Sequence, residues 1–298
     1  MLHSRVLAYL DTVARCGSIR KAGEQLNVAS TAINRQILAL EAELGTPLFE
    51  RLPRKLVLTA AGEILLAHVR ETLRGMSHTR KLIDEVRGLH RGEIVVAGMD
   101  GPVTALLPDA LTDLRKTHRN VRVHLMGLGQ PELVRTVQDG EADIGVGFDL
   151  PGEAGLRVIC SRSVTLGAVV SATHPLACQE SVSVHECEAW PLVVADETMA
   201  IRPHLEEFYN RQNLAFSPAM ETNSIEFMRQ MAMRGEAITY LTPLDIIREQ
   251  RERMLKFLPF RDAELQPQRF SVIAHARNTN PLLPFLVERI EALLPETA

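Results

Sequence analysis

The sequence predicts an α/β protein in three parts: an N-terminal winged helix-turn-helix, a long linker helix, and a C-terminal two-lobed α/β domain. Three observations predict it. The first ninety residues place apolar side chains three and four apart; the stretch from Thr59 to Gly88 holds no proline; and after Gly92 short β-rich runs alternate with helical ones. A chain of 298 residues also exceeds the usual size of one compact domain. The expected boundaries are 1–58 for the head, 59–91 for the linker and 92–298 for the last domain.

Val6, Leu10 and Val13 share one helical face before Gly17 breaks the pattern. Ser18 stands where an N-cap belongs, and Ile19, Ala22 and Leu26 continue a second short helix. A third helix follows Asn27-Val28, with Ile33, Ile37, Leu40 and Leu44 on one face, Gly45 at its end and Pro47 just beyond. Leu48 to Leu58 reads as a short hairpin turning at Pro53. Thr59 can cap the long helix, in which Leu65, Val69, Thr72, Met76, Thr79, Ile83 and Val86 form a coiled-coil-like seam. Such a rod is roughly 40 Å long and is expected to pair with a partner rather than lie on its own domain.

Beyond Gly92, strands are expected at 94–97, 121–125, 142–148, 166–170, 192–194, 237–241 and 270–274. Helices are expected near 106–117, 132–139, 204–212 and 283–294. Repeated βα units predict a mostly parallel sheet covered by helices, with enough units for two lobes.

Composition narrows the class. An apolar fraction of 46% and a charged fraction of 23% fit a globular protein without a disulfide scaffold. Cys16, Cys160, Cys178 and Cys187 show no metal-ligand spacing, so neither a metal nor a cofactor is expected. The start, Met1-Leu2-His3-Ser4-Arg5, carries no apolar signal core, and no run approaches the roughly eighteen apolar residues of a membrane span. A cytoplasmic protein is expected. The net charge of −4 conceals a split: residues 1–92 hold 14 Lys/Arg against 9 Asp/Glu, and the remainder holds 19 against 28. A basic end joined to an acidic body suggests a head that faces nucleic acid.

The head contains residues suited to that task. In a helix-turn-helix the second helix enters the major groove with its N-terminal half against the bases. With Ile33 and Ile37 buried, Ser30, Thr31, Asn34 and Arg35 turn outward, offering short hydrogen-bonding groups and one guanidinium. Ser18 and Arg20 begin the supporting helix. Arg51, Arg54 and Lys55 in the wing can reach phosphates or the minor groove.

Ala22, Leu26 and Val28 are followed by Asn34-Arg35-Gln36-Ile37 and Leu40-Glu41-x-Glu43-Leu44-Gly45. Pro47-Leu48-Phe49-Glu50-Arg51 and Leu58-Thr59-x-Ala61-Gly62 complete the series. In order and spacing these runs closely resemble LysR-type transcriptional regulators. The resemblance continues more weakly through Leu107-Pro108, Gly140-Glu141-Ala142-Asp143-Ile144, His174-Pro175-Leu176 and Glu221-Thr222. One departure stands out. Ala29-Ser30-Thr31 occupies the place where the family commonly has Ser-Gln-Pro. Losing that serine cap costs on the order of 1 kcal/mol unless Ser30 takes over one residue later.

The resemblance implies a homodimer or tetramer whose linker helices pair, double-stranded promoter DNA as partner, contact with RNA polymerase, and a C-terminal domain built like a solute-binding protein. Its cleft would hold an unidentified small-molecule effector. By analogy the crossovers fall near Ser161–Val164 and Arg261–Gln268, giving lobe I as 92–161 and 268–298 and lobe II as 162–267. Effector-facing candidates are Met99, Asp100, Gly101, Gly129, Phe148, Met199 and Ile201, with Asn223 and Thr242 as polar groups near loop ends. Asp100 stands where many relatives hold a carboxylate with Ser or Thr. It would repel one, so the expected effector offers a cation or hydroxyl there. The competing reading makes Asp100 the N-cap of the following helix.

Two rival classes fit less well. A transport binding protein requires an export signal. An enzyme on a doubly wound fold would show a nucleophile elbow, G-x-G-x-x-G or a P-loop, and none is present. His118, His124, His174 and His204 are scattered without partners that the sequence can place. Cys178 and Cys187 have the nine-residue separation of peroxide-sensing relatives. By the flanking landmarks, however, a sensing cysteine would fall near Met199–Ile201, which has none.

Overall fold

The computed structural model describes residues 5–52, 55–86, 92–261 and 266–294. The chain divides into two compact units, Met1–Leu89 and His90–Ala298.

In the first unit, α1 (Arg5–Cys16), α2 (Ile19–Leu26) and α3 (Ser30–Leu44) precede the hairpin β1 (Phe49–Leu52) and β2 (Lys55–Leu58) and the helix α4 (Ala60–Val86). Leu10, Val13, Ala22, Ile33, Ile37, Leu48, Phe49 and Val69 form its core. The tight turn between α2 and α3 depends on Gly23: a Cβ there would lie 2.8 Å from the Val28 carbonyl oxygen. Asn27 caps α2 in the left-handed conformation at φ 51°, a geometry that asparagine tolerates better than most residues. Glu41 on α3 accepts from the Leu48 and Phe49 N–H groups at 2.7 and 3.2 Å, fixing the chain's entry into the hairpin.

Thr59 caps α4 as expected, its Oγ1 accepting from Gly62 N at 3.0 Å. Two expectations change. Leu44 is 47% exposed, because α3 ends there and its last turn runs past the core. The α4 seam serves two surfaces: Val69 and Leu65 pack on the head's own core, as does Leu73, while Thr79 and Ile83 remain exposed. Arg70 holds Asp11 of α1 at 2.8 Å, which seats the first turns of α4 on the head. The side chain of Val86 and all of Gly88 lie outside the described residues.

The second unit opens with β3 (Glu93–Gly98), α5 (Asp100–Ala105), α6 (Leu107–Thr117), β4 (Arg122–Gly127), α7 (Gln130–Gln138), β5 (Ile144–Phe148) and β6 (Leu156–Val164). It continues through β7 (Gly167–Ser171), α8 (Val184–Glu188), β8 (Leu192–Ala195), α9 (Arg202–Arg211), β9 (Met220–Thr222) and α10 (Ile225–Met233). The last elements are β10 (Ile238–Leu241), α11 (Ile247–Arg251), β11 (Leu255–Leu258), β12 (Gln268–His275) and α12 (Leu283–Leu293).

These strands form two five-stranded sheets, β4-β3-β5-β12-β6 and β11-β7-β10-β8-β9. Each sheet has the same plan. Three strands run parallel, and an antiparallel strand (β12 in the first sheet, β7 in the second) joins them to the edge. Four of the five strands in each sheet thus point the same way, as expected of a mostly parallel sheet, and the one reversed strand makes half of the pairings antiparallel, since a strand re-entering from the other sheet arrives from the opposite direction. Val169, Val193, Ile238 and Tyr240 centre one core, and Ile94, Val96, Ile144 and Phe270 centre the other.

Candidate functional site

In the head, α3 buries Ile33 and Ile37 and turns Thr31 and Arg35 to solvent, with Ser30 and Asn34 half-buried beside them. The four positions at i and i+4 spacing form one polar strip along the first two turns. Ala29 is the N-cap residue and supplies no side-chain hydrogen bond; Ser30 is already helical and does not replace it. The first N–H groups of α3 are thus left without a side-chain acceptor from their own cap. An open notch of about 280 Å³ lies at the same turn, lined by Arg20, Gly23, Glu24, Asn27, Val28, Ala29 and Ser30.

Ser18 caps α2, its Oγ accepting from Lys21 N at 3.4 Å. Arg20 is exposed and pairs loosely with Glu24 at 3.4 Å. In the wing, Arg51 lies on β1 opposite Leu56, and Lys55 opens β2 with an exposed side chain. Arg54 lies outside the described residues.

In the second unit, a small cavity of about 30 Å³ lies where the two sheets face each other. That is room for roughly one water. Met99, Asp100, Gly101 and Phe148 line it from the first sheet, and Met199 and Ile201 from the second. Six of the expected effector-facing positions therefore meet at one place. Ala200, Ile225, Asp245 and Gln268 complete the lining, and no Lys, Arg or His stands among these described residues. Gly129 and Asn223 are exposed and outside it. Thr242 is fully buried one step behind, where its N–H and Oγ1 donate to Asp245 Oδ2 at 2.9 and 2.7 Å.

Asp100 lines the cavity but does not take the alternative role of N-cap. The N-cap of α5 is Met99, and Asp100 is the first residue of that helix. Its carboxylate reaches across to the other sheet and accepts from the N–H of Ile225, the first residue of α10, at 2.6 Å. Beside it, Gly101 passes so close to Asp245 that a Cβ would lie 2.1 Å from Asp245 Oδ1. Burial pushes the Asp245 carboxyl up from its ordinary pKa; the Thr242 hydrogen bonds and Arg229 oppose the shift, and the charge of Asp100 adds to it.

A second tie joins the sheets. Asp149, in the left-handed region at φ 51° after β5, accepts from His204 of α9 at 2.9 Å, from Arg269 N at 2.8 Å and from Gln268 Nε2 at 3.2 Å. His204 thus has a partner that the sequence alone could not place. Its hydrogen bond to Asp149 outweighs desolvation and raises its pKa. Burial alone would raise Asp149, but the bonds from His204, Arg269 and Gln268 prevail and hold it below its ordinary value. Elsewhere His174 is buried, accepts from Leu176 N and packs edge-on against Trp190, a structural role. Cys178 is exposed and Cys187 buried.

A helix-turn-helix presenting an exposed polar second helix, followed by a two-sheet domain with a cleft, defines the class of DNA-binding transcriptional regulators. The description of the lysR-family bacterial regulatory helix-turn-helix matches residues 4–63, and that of the LysR substrate binding domain matches residues 87–294. The chain belongs to the LysR family. A "Probable RuBisCO transcriptional regulator" of Emiliania huxleyi is 25% identical over 300 residues, covering 98% of this chain and 95% of the relative. A full-length OxyR variant of Pseudomonas aeruginosa shares the fold with a TM-score of 0.71 at 18% identity, over 98% of this chain and 96% of that one. CbnR complexed with its target DNA gives 0.60 at 21% identity, over 97% and 99%. Among the described residues no helix is long and apolar enough to cross a membrane.

Proposed function

We propose that this regulator binds promoter DNA through the first two turns of α3, and that a small-molecule effector held between the two sheets modulates that binding. The observation that carries the first part is the outward strip of Ser30, Thr31, Asn34 and Arg35 over buried Ile33 and Ile37. Arg35 reads a base edge, and Ser30, Thr31 and Asn34 contact neighbouring bases and phosphates. Ser18 and Arg20 meet the backbone from α2, and Arg51, Arg54 and Lys55 meet it from the wing. The N-terminus of α3, with no side-chain cap, suits a phosphate.

The exposed half of α4, with Thr79 and Ile83, supports pairing of two chains into a homodimer, with a tetramer as the larger assembly. Contact with RNA polymerase and a cytoplasmic location belong to this reading, as the resemblance to the family suggests. The head, linker and two-lobed domain are taken as 1–58, 59–91 and 92–298. Carboxylates of Asp100 and Asp245 and the amide of Gln268 are the polar groups of the cavity lining, set among Met99, Phe148, Met199 and Ile201. This lining favours a small effector with a cationic or hydroxyl group and an apolar body. At about 30 Å³ the cavity admits it only when the sheets part.

Fluorescence anisotropy of the full chain on the intergenic DNA beside its own gene tests the first part. Specific binding is expected, and its absence at low salt in a correctly dimeric protein overturns it. A thermal-shift screen of amines, polyols and carboxylates tests the second. Saturable stabilisation by an amine or polyol is expected; stabilisation by carboxylates alone contradicts the reading of the lining.

A further inference from the structure

We infer that Asp100 is a built-in anion, the chain's own ligand for the N-terminus of α10, and that it holds the two sheets together when the cleft is empty. The claim concerns Asp100 and α10 alone, so it stands whether or not an effector is found.

The N-terminus of a helix leaves its first N–H groups unsatisfied and carries a partial positive charge. In α10 several of these groups have acceptors, Ser224 N on Thr222 Oγ1 at 3.2 Å among them. Ser224 Oγ accepts from Phe227 N at 3.3 Å, and the Ser224 carbonyl accepts from Met228 N at 3.2 Å. Ile225 N, the outermost donor, faces the cavity side and takes Asp100 Oδ2 at 2.6 Å. That is a short, charge-assisted bond. The donor and acceptor lie 125 residues apart and belong to different sheets.

Nothing local requires Asp100 to be there. As first residue of α5 it could face its own helix, yet no side-chain cap bond forms at that end. Instead its carboxylate is placed where a free carboxylate entering the cleft would be held. Placing it there carries a cost, because the buried Asp245 carboxyl lies against the adjacent Gly101 and responds to the Asp100 charge. A second carboxylate close to a buried one is repelled unless a positive partner holds it. The α10 N-terminus is that partner. Asp100 therefore ties the sheets and, by occupying the donor, denies it to carboxylate ligands.

Chemical rescue is the test. Full-length wild type, Asp100→Ala and Asp100→Asn are melted in 0–100 mM sodium formate or acetate at constant ionic strength, with sodium chloride as control. Asp100→Ala is expected to melt about 3 °C lower in chloride. It should recover most of that loss, saturably, in formate but not in chloride, while wild type ignores the exchange. Asp100→Asn, which keeps an oxygen acceptor without charge, should fall between the two and respond weakly. In ¹⁵N-labelled protein the Ile225 amide proton should move upfield in Asp100→Ala and return with formate. Equal melting of all three proteins, or recovery no greater in formate than in chloride, would overturn the inference. If Asp100→Ala does not fold, an Ile225 amide shift in Asp100→Asn identical to wild type would overturn it as well.

Discussion

Two helix N-termini in this molecule are treated in opposite ways. At α3, in the head, the cap residue is Ala29, which makes no side-chain cap hydrogen bond. At α10, in the ligand domain, Ser224 and Asp100 both accept, and Asp100 is drawn from the other sheet to do so. Unsatisfied N–H groups cost little in water but stay available to an incoming phosphate. Filled ones add stability and lose availability. Under the proposed function the open end belongs to the face that takes DNA, and under the inference above the filled end ties the two sheets across the cleft. The same backbone chemistry thus serves recognition in one unit and self-restraint in the other.

Breaking the filled end should give the largest effect. Gly101→Ala drives a methyl into Asp245 Oδ1, a contact of 2.1 Å, so that either the buried Asp245 carboxyl or α5 must shift. A loss of about 2–3 kcal/mol is expected, as for other overpacked sites, read by urea unfolding. Arg35→Ala attacks the open end's working face. Loss of a guanidinium from a base edge should weaken promoter binding by about 1–3 kcal/mol, or roughly tenfold and more, with the dimer intact by sedimentation. Unchanged affinity would move the reading surface elsewhere.

The Asp149–His204 tie sharpens the comparison through pH. His204 has a raised pKa, so its contribution is complete below the ordinary histidine value and fades as pH rises through the shifted one. Asp149 has a lowered pKa, so its contribution is complete above the ordinary aspartate value and is lost only as pH falls through the shifted one. The tie is therefore strongest in mildly acidic solution. Melting should show a modest gain near pH 6 over pH 8 that His204→Gln removes; an equal gain in the variant would remove this pair from the explanation. The smallest effect is expected from Ala29→Ser, which supplies the missing cap of α3. It should stabilise the isolated transition of the head by about 0.5–1 kcal/mol in thermal unfolding.

The head was highly legible in the sequence because its signals are local. Apolar spacing marked Leu10, Val13, Ile33 and Ile37, all buried, while Ser18 and Thr59 marked caps that the structure contains. Leu44 and the first half of the α4 seam misled, since spacing shows which residues share a face but not what that face meets. Only tertiary packing turns Val69 inward. In the ligand domain, strand positions were readable from β-rich runs, but the antiparallel placement of β12 and β7 depends on long-range pairing. The α10 helix was harder still, because Phe227, Met231 and Met233 add apolar residues outside the buried face of Ile225, Met228 and Ala232 and blur the period. Its absence from the pattern hid the role of Asp100, whose acceptor position is defined by a donor 125 residues away. Asp149 and His204 were invisible for the same reason, being 55 residues apart on different elements.

The most direct test of the central claim is the affinity of the full chain for the DNA upstream of its own gene, measured by anisotropy across a salt series with wild type and Arg35→Ala. Specific binding by wild type is expected to weaken linearly in log K against log salt. Arg35→Ala is expected to lose the preference for that sequence while keeping the weak, salt-dependent binding to unrelated DNA. Wild type and variant binding the upstream DNA equally well, or wild type showing no preference for it over unrelated DNA, would contradict the account.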